Sequence, residues 1–71
     1  SEIDNPLTEP LSKRELEVLR LLKTDLSGPE IARELAVSLS TVRTHTKNIY
    51  GKLDVHNRRQ VVTKAESLGL L

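Results

Sequence analysis

Cysteine, methionine, tryptophan and phenylalanine are absent from these 71 residues, and Tyr50 is the only aromatic side chain. Without cysteine there is no disulfide framework and no thiolate metal site. His45 and His56 are the only imidazoles, too few for a histidine metal cluster. No metal and no cofactor is therefore expected. The core has to be assembled from Leu, Val, Ile and Ala. No apolar run approaches the roughly 20 residues of a membrane-spanning helix. The N-terminus lacks the basic-then-apolar order of a signal peptide, so the expected setting is the cytoplasm, away from membranes. A nucleophile–base pair and a phosphate-cradling glycine loop are missing too, and so short a domain buries no sizeable catalytic cavity. The expectation is a binding module with no catalytic residues.

A net charge of +1 conceals an asymmetry. Residues 1–35 hold five Lys/Arg against eight Asp/Glu, whereas residues 36–71 hold six against two. A basic half within one small domain fits a polyanion partner, although a solvated basic surface gives the same count.

Residues 1–10, SEIDNPLTEP, contain two prolines and three acids without periodicity and read as a linker or tail. Residues 11–71 read as one all-α domain of four helices. The first runs from about Lys13 to Lys23, opened by a Ser12/Glu15 capping box in which hydroxyl and carboxylate satisfy each other's backbone N–H. Leu16, Val18, Leu19, Leu21 and Leu22 cover most of its circumference. The second follows Ser27, with Pro29 in the first turn, where its missing N–H costs nothing, and Glu30 as capping partner. Ile31 and Leu35 face the core, and Ala32 is small where two helices approach closely. Ala36-Val37-Ser38 makes a turn, with Val37 dropping inward and Ser38 capping a third helix over about Leu39–Leu53. Asn57, with Gln60 as partner, caps a fourth, which Gly69 ends.

The third helix has two distinguishable faces. At about 100° per residue, Val42, Ile49 and Leu53 fall within about 40° of one another, flanked by Thr46 and Leu39. Ser40, Arg43, Thr44, Lys47 and Gly51 occupy the opposite side. One face anchors the helix; the other is cationic, hydroxyl-bearing and free of carboxylates. Such a helix, presented by a shorter one through a tight turn, suits the DNA major groove. The helix-turn-helix unit would span about residues 28–47, with residues 39–53 as recognition helix.

From Leu11 onward the chain resembles the C-terminal DNA-binding domain of LuxR-type bacterial transcription regulators. The matching pieces are Leu11-Ser12-x-Arg14-Glu15-x-Glu17-Val18-Leu19, Leu26-Ser27, Glu30-Ile31-Ala32 and Val37-Ser38. They continue as Thr41-Val42-Arg43-x-His45, Ile49, Lys52-Leu53, Val55, Arg58, Gln60 and Leu68-Gly69-Leu70-Leu71. The run SLSTVRTHTKNIYGKL further resembles the large ATP-binding, maltose-regulator-like branch. Three departures stand out: Asp25 and Asp54 where the family usually has glycine, and Gly28-Pro29 in place of an Asn-Lys pair. The aspartates would have to adopt turn conformations that suit glycine, and the phosphate contact that the Asn-Lys pair could make at the start of the second helix is not expected from Gly28-Pro29.

Arg43 and Lys47 lie one turn apart on the outward face. Arginine pairs with guanine O6 and N7, lysine donates to guanine or phosphate, and Thr44 offers a methyl to thymine and a hydroxyl to a base edge. The resemblance places Arg43, Thr44 and Lys47 at base-contacting positions. Thr41, Asn48 and Lys52 lie on a flank suited to phosphate contacts, and Ser38 and Ser40 stand at a helix N-terminus that favours an anion. Ser27 fits an N-cap better than a phosphate contact, and His45, at the border of the buried face, fits a packed histidine. Arg58 and Arg59 suit phosphate contact and solvated surface equally. Val61, Val62, Ala65 and Leu68 form the apolar side of the fourth helix. The resemblance implies a homodimer through that helix on two DNA half-sites, while burial in the domain's own core is the competing explanation. Double-stranded DNA is thus the expected partner, with RNA polymerase a further one for a transcription regulator. A sigma-factor-type promoter-reading domain and a helical protein-interaction module remain alternatives.

Overall fold

Ser12, Ser27, Ser38 and Asn57 each stand in extended backbone and accept a hydrogen bond from the backbone N–H three residues on, and each opens a helix. A computed structural model describes residues 10–71. Its helices are α1 (Lys13–Leu22), α2 (Gly28–Leu35), α3 (Leu39–Leu53) and α4 (Arg58–Ser67), with no strand among the described residues. The expected tail, residues 1–10, lies outside the described residues except for Pro10.

Both serine–glutamate capping boxes form, Ser12 with Glu15 and Ser27 with Glu30. At α4, Asn57 Oδ1 accepts from the Gln60 N–H, while Gln60 Oε1 accepts from the His56 N–H rather than from Asn57. The chain leaves α2 through Ala36 and α3 through Asp54, both left-handed, at φ 58° and 55°. Asp25 is not left-handed. The expectation of a glycine-like turn therefore holds at Asp54, fails at Asp25 and misses Ala36. Gly69, at φ 76°, closes α4, and the Leu70 N–H reaches back to the Ala65 carbonyl.

The core is aliphatic. Val18, Leu19 and Leu22 of α1 meet Ile31 and Ala32 of α2, Val42, Ile49 and Leu53 of α3, and Val61 and Ala65 of α4. Helix α3 packs against all three others. Burying one such aliphatic side chain contributes roughly 1.5–3 kcal/mol, so α3 is held firmly enough to present its opposite face. No described helix is long and apolar enough to cross a membrane.

Val61 and Ala65 correct an expectation. Both are completely buried in the domain's own core, because α4 has to cover α1 and α3 with its short side chains. Neither can line a dimer surface. Of the expected set only Val62, half-buried, and Leu68, 50% exposed, reach the surface.

Candidate nucleic-acid interface

The two faces of α3 separate in space as the wheel demands. Val42, Ile49 and Leu53 are buried, with Leu39 and Thr46 half-buried beside them. Thr46 turns its hydroxyl back onto the Val42 carbonyl at 2.8 Å, so its polar atom is satisfied within the helix. Ser40, Arg43, Thr44, Lys47, Asn48 and Gly51 are exposed. No carboxylate pairs with Arg43 or Lys47 among the described residues. The outward face therefore keeps unneutralised cations and unused hydroxyls.

Arg43 and Lys47 border a hollow of about 480 Å³ between the first turn of α2, α3 and the start of α4. Leu22, Ile31, Leu39, Val42 and Tyr50 supply its apolar walls, and Gly28, Pro29 and Arg58 complete the rim. A Cβ on Gly28 would stand 3.2 Å from Leu39 Cδ1, so glycine lets α2 start close against α3. Burial pushes the Tyr50 phenol up from its ordinary value, opposed by the Arg58 charge; the phenol stays protonated near neutral pH.

The N-terminal end of α3 is organised by its own hydroxyls. Ser38 Oγ accepts from the Thr41 N–H at 3.1 Å and lies 2.9 Å from Thr41 Oγ1. Both remain outside the core, Ser38 exposed and Thr41 half-buried, with Ser40 exposed between them. Ser27 is used as an N-cap, and His45 is half-buried.

Lys52 departs from the role expected of it. Its Nζ lies 2.7 Å from Glu15 Oε1 and donates at 3.2 Å to the Pro10 carbonyl. The lysine side chain is 20% exposed and the glutamate 6%. The ammonium thus ties the C-terminal part of α3 to the start of α1. Burial acts to raise the Glu15 pKa, but the Lys52 hydrogen bond, the Ser12 backbone N–H and the Lys52 charge outweigh it. Glu15 is held below the ordinary glutamate value as a result. Glu30 is lowered as well, chiefly by the Ser27 backbone N–H.

Arg58 is likewise engaged. Its Nε donates to the Leu22 carbonyl at 2.8 Å, and Nη2 donates to Thr24 at 2.6 Å and Leu21 at 3.3 Å. It caps the C-terminus of α1 from across the fold. Sequence reasoning missed both ties. Residues 15 and 52 share no local pattern, so the ion pair left no signal. Arg58 left a faint one: a cation in the first turn of a helix opposes the helix dipole, which suggests that its charge is used elsewhere.

A family model described as bacterial regulatory proteins of the luxR family matches residues 9–65. The chain belongs to that family. Over 61 residues it is 43% identical to the HTH-type transcriptional regulator MalT of Vibrio campbellii and 44% identical to MalT of Serratia proteamaculans. Those matches take in 86% of this chain but span only 7% of the length of each relative. The response regulator ChrA of a heme-sensing two-component system has the same fold, with a TM-score of 0.85 at 41% identity. That likeness covers 89% of this chain and 31% of the other. The chain is thus an all-α helix-turn-helix domain of the luxR family.

Proposed function

We propose that this domain reads duplex DNA by laying α3 in the major groove, within a larger cytoplasmic transcription regulator. Arg43, Thr44 and Lys47 contact base edges; Ser38, Ser40, Thr41 and Asn48 face phosphates. The observation that carries this is the outward face of α3, exposed, carboxylate-free and, among the described residues, without a carboxylate partner for its two cations. Lys52 is left out of the phosphate set, because its ammonium is committed to Glu15 and Pro10. The module performs no chemistry of its own; its work is selective binding.

Two copies pair on DNA through the outer side of α4, around Val62 and Leu68. With Val61 and Ala65 buried, that surface is too small for a stable dimer in solution, since such interfaces bury about 1,200 Å² or more. DNA holding two copies side by side raises their effective concentration enough for a weak contact to act. Half-sites one helical turn apart, or a multiple of that, follow from this arrangement.

Selection from random duplexes tests the assignment. It should yield a preferred site bound with strong salt dependence. On that site Arg43→Ala should cost about 1–3 kcal/mol and relax one base position. Equal weakening on every sequence would reassign Arg43 to phosphate. For pairing, cooperative occupation of a two-site duplex should disappear in Leu68→Glu with single-site affinity retained. Independent occupation by the wild type would end the dimer proposal.

A further inference from the structure

Arg58 begins α4, yet its hydrogen bonds go to the other side of the domain. Leu21 and Leu22 end α1, where the dipole favours a cation; the Leu21 carbonyl also accepts from the Thr24 N–H at 3.0 Å, so Arg58 adds to a turn already closed there. Thr24 lies in the turn beyond. The planar guanidinium fork reaches all three carbonyls at 2.6–3.3 Å. From Thr24 the constraint passes directly to α2. The Leu26 N–H donates to Thr24 Oγ1 at 3.1 Å, and the next residue, Ser27, caps α2. Gly28 then sits tight against Leu39 of α3. Arg58 also borders the same hollow as Arg43 and Lys47, so what it holds in place is the flank of the outward face.

We infer that Arg58 is a positioning residue for DNA binding, holding the α1–α2 turn so that α2 starts in register beside the reading face, and that it is not a phosphate contact. This rests on the DNA-reading assignment above. An arginine at the edge of a DNA-binding face is easily counted among the phosphate contacts, but this one donates into the protein. Lysine keeps the charge but loses the fork, so charge and geometry can be separated.

The test titrates wild type, Arg58→Lys and Arg58→Met on the selected duplex across a salt series. Thermal denaturation first fixes a temperature at which each variant is folded. Both variants should lose on the order of tenfold in affinity with the wild-type salt slope unchanged. Backbone amide resonances of Ser27 and Glu30 should shift in both. Should Arg58→Met not fold, Arg58→Lys carries the comparison alone, since it retains the charge. Wild-type affinity in Arg58→Lys, with a slope reduced by about 0.9 in Arg58→Met, would make Arg58 a phosphate contact and overturn the inference. Lower thermal midpoints with wild-type affinity in the folded variants would reduce it to a stability role and overturn it equally. Absence of salt-dependent binding by the wild type would instead remove the DNA assignment itself, a result distinct from losses confined to the variants.

Discussion

The outward face of α3 and the two cations at its margins hold the same charge under different constraints. Arg43 and Lys47 are exposed and unpaired among the described residues. Lys52, a turn beyond Asn48, is tied to Glu15 and Pro10, and Arg58 is tied to three carbonyls of α1 and its following turn. A count of basic residues treats these four alike. The fold divides them into two that stand exposed and two that fasten α3 and α4 to α1. Lys52 has its charge offset by Glu15, whereas Arg58 keeps its charge but spends its N–H donors on carbonyls, so a count of basic residues overstates the donors free for a polyanion.

The sharpest way to test this division is to remove what lies beneath both groups. Ile49 is fully buried under α3, and Ile49→Ala should cost roughly 2–5 kcal/mol of stability. Thermal denaturation should show a large drop in midpoint, with DNA binding lost through unfolding. An unchanged midpoint with binding lost would mean that α3 is rotated from the orientation described.

A matched pair of substitutions then contrasts the cations directly. Lys52→Ala removes the ion-pair partner of Glu15 and leaves its carboxylate with the Ser12 N–H of the capping box. Exposed pairs contribute about 0–1 kcal/mol, whereas breaking a buried one costs about 3–5 kcal/mol. With side chains 20% and 6% exposed, roughly 2 kcal/mol of lost stability is expected. Arg43→Ala should leave the thermal midpoint in place and lower only affinity. If Arg43→Ala destabilises the fold as much as Lys52→Ala does, the division between exposed and fastening cations collapses.

Much of this organisation was legible because its causes are local. The four caps sit in the sequence as Ser or Asn three residues ahead of the N–H each accepts from. The apolar stripe of Val42, Ile49 and Leu53 repeats at helical spacing, and those residues are buried. What was hidden depends on residues far apart in the chain. Glu15 announced itself as a cap but not as the partner of Lys52. Val61 and Ala65 have helical apolar spacing whether they face their own core or a second copy, and periodicity does not say which. The left-handed backbone at Ala36 was hidden for another reason: alanine gives no sign of a conformation that it disfavours.

Acid should weaken the tie between α1 and α3. The Glu15 pKa is lowered in the folded chain, so the unfolded chain takes up the proton first as pH falls. The stability it contributes is complete above the unfolded value of about 4.3 and disappears as pH falls through the folded value. Glu30 is shifted in the same direction, and Glu30→Gln serves as the comparison. Denaturant unfolding of wild type and Glu15→Gln should show a gap at neutral pH that closes on acidification. A gap independent of pH would mean that the ionised pair contributes nothing and that packing alone holds α1 to α3.

The smallest effect is expected at the turn that delivers the chain to α3. Ala36 is left-handed at φ 58°, and beyond it the Val37 N–H bonds to the Ala32 carbonyl at 3.0 Å. That conformation costs an L-residue roughly 1–2 kcal/mol. Glycine adopts it freely but loses about 0.5–1 kcal/mol more than alanine in chain entropy on folding. Ala36→Gly should therefore stabilise the domain by about 0.5–1 kcal/mol, read as a small rise in thermal midpoint. Ala36 is exposed and its side chain anchors nothing in the core, so affinity for the selected duplex should not change. A fall in stability would show that the turn relaxes from its left-handed form in solution. A changed affinity would show that the outward face depends on the geometry of the preceding turn as well as on the buried stripe beneath it.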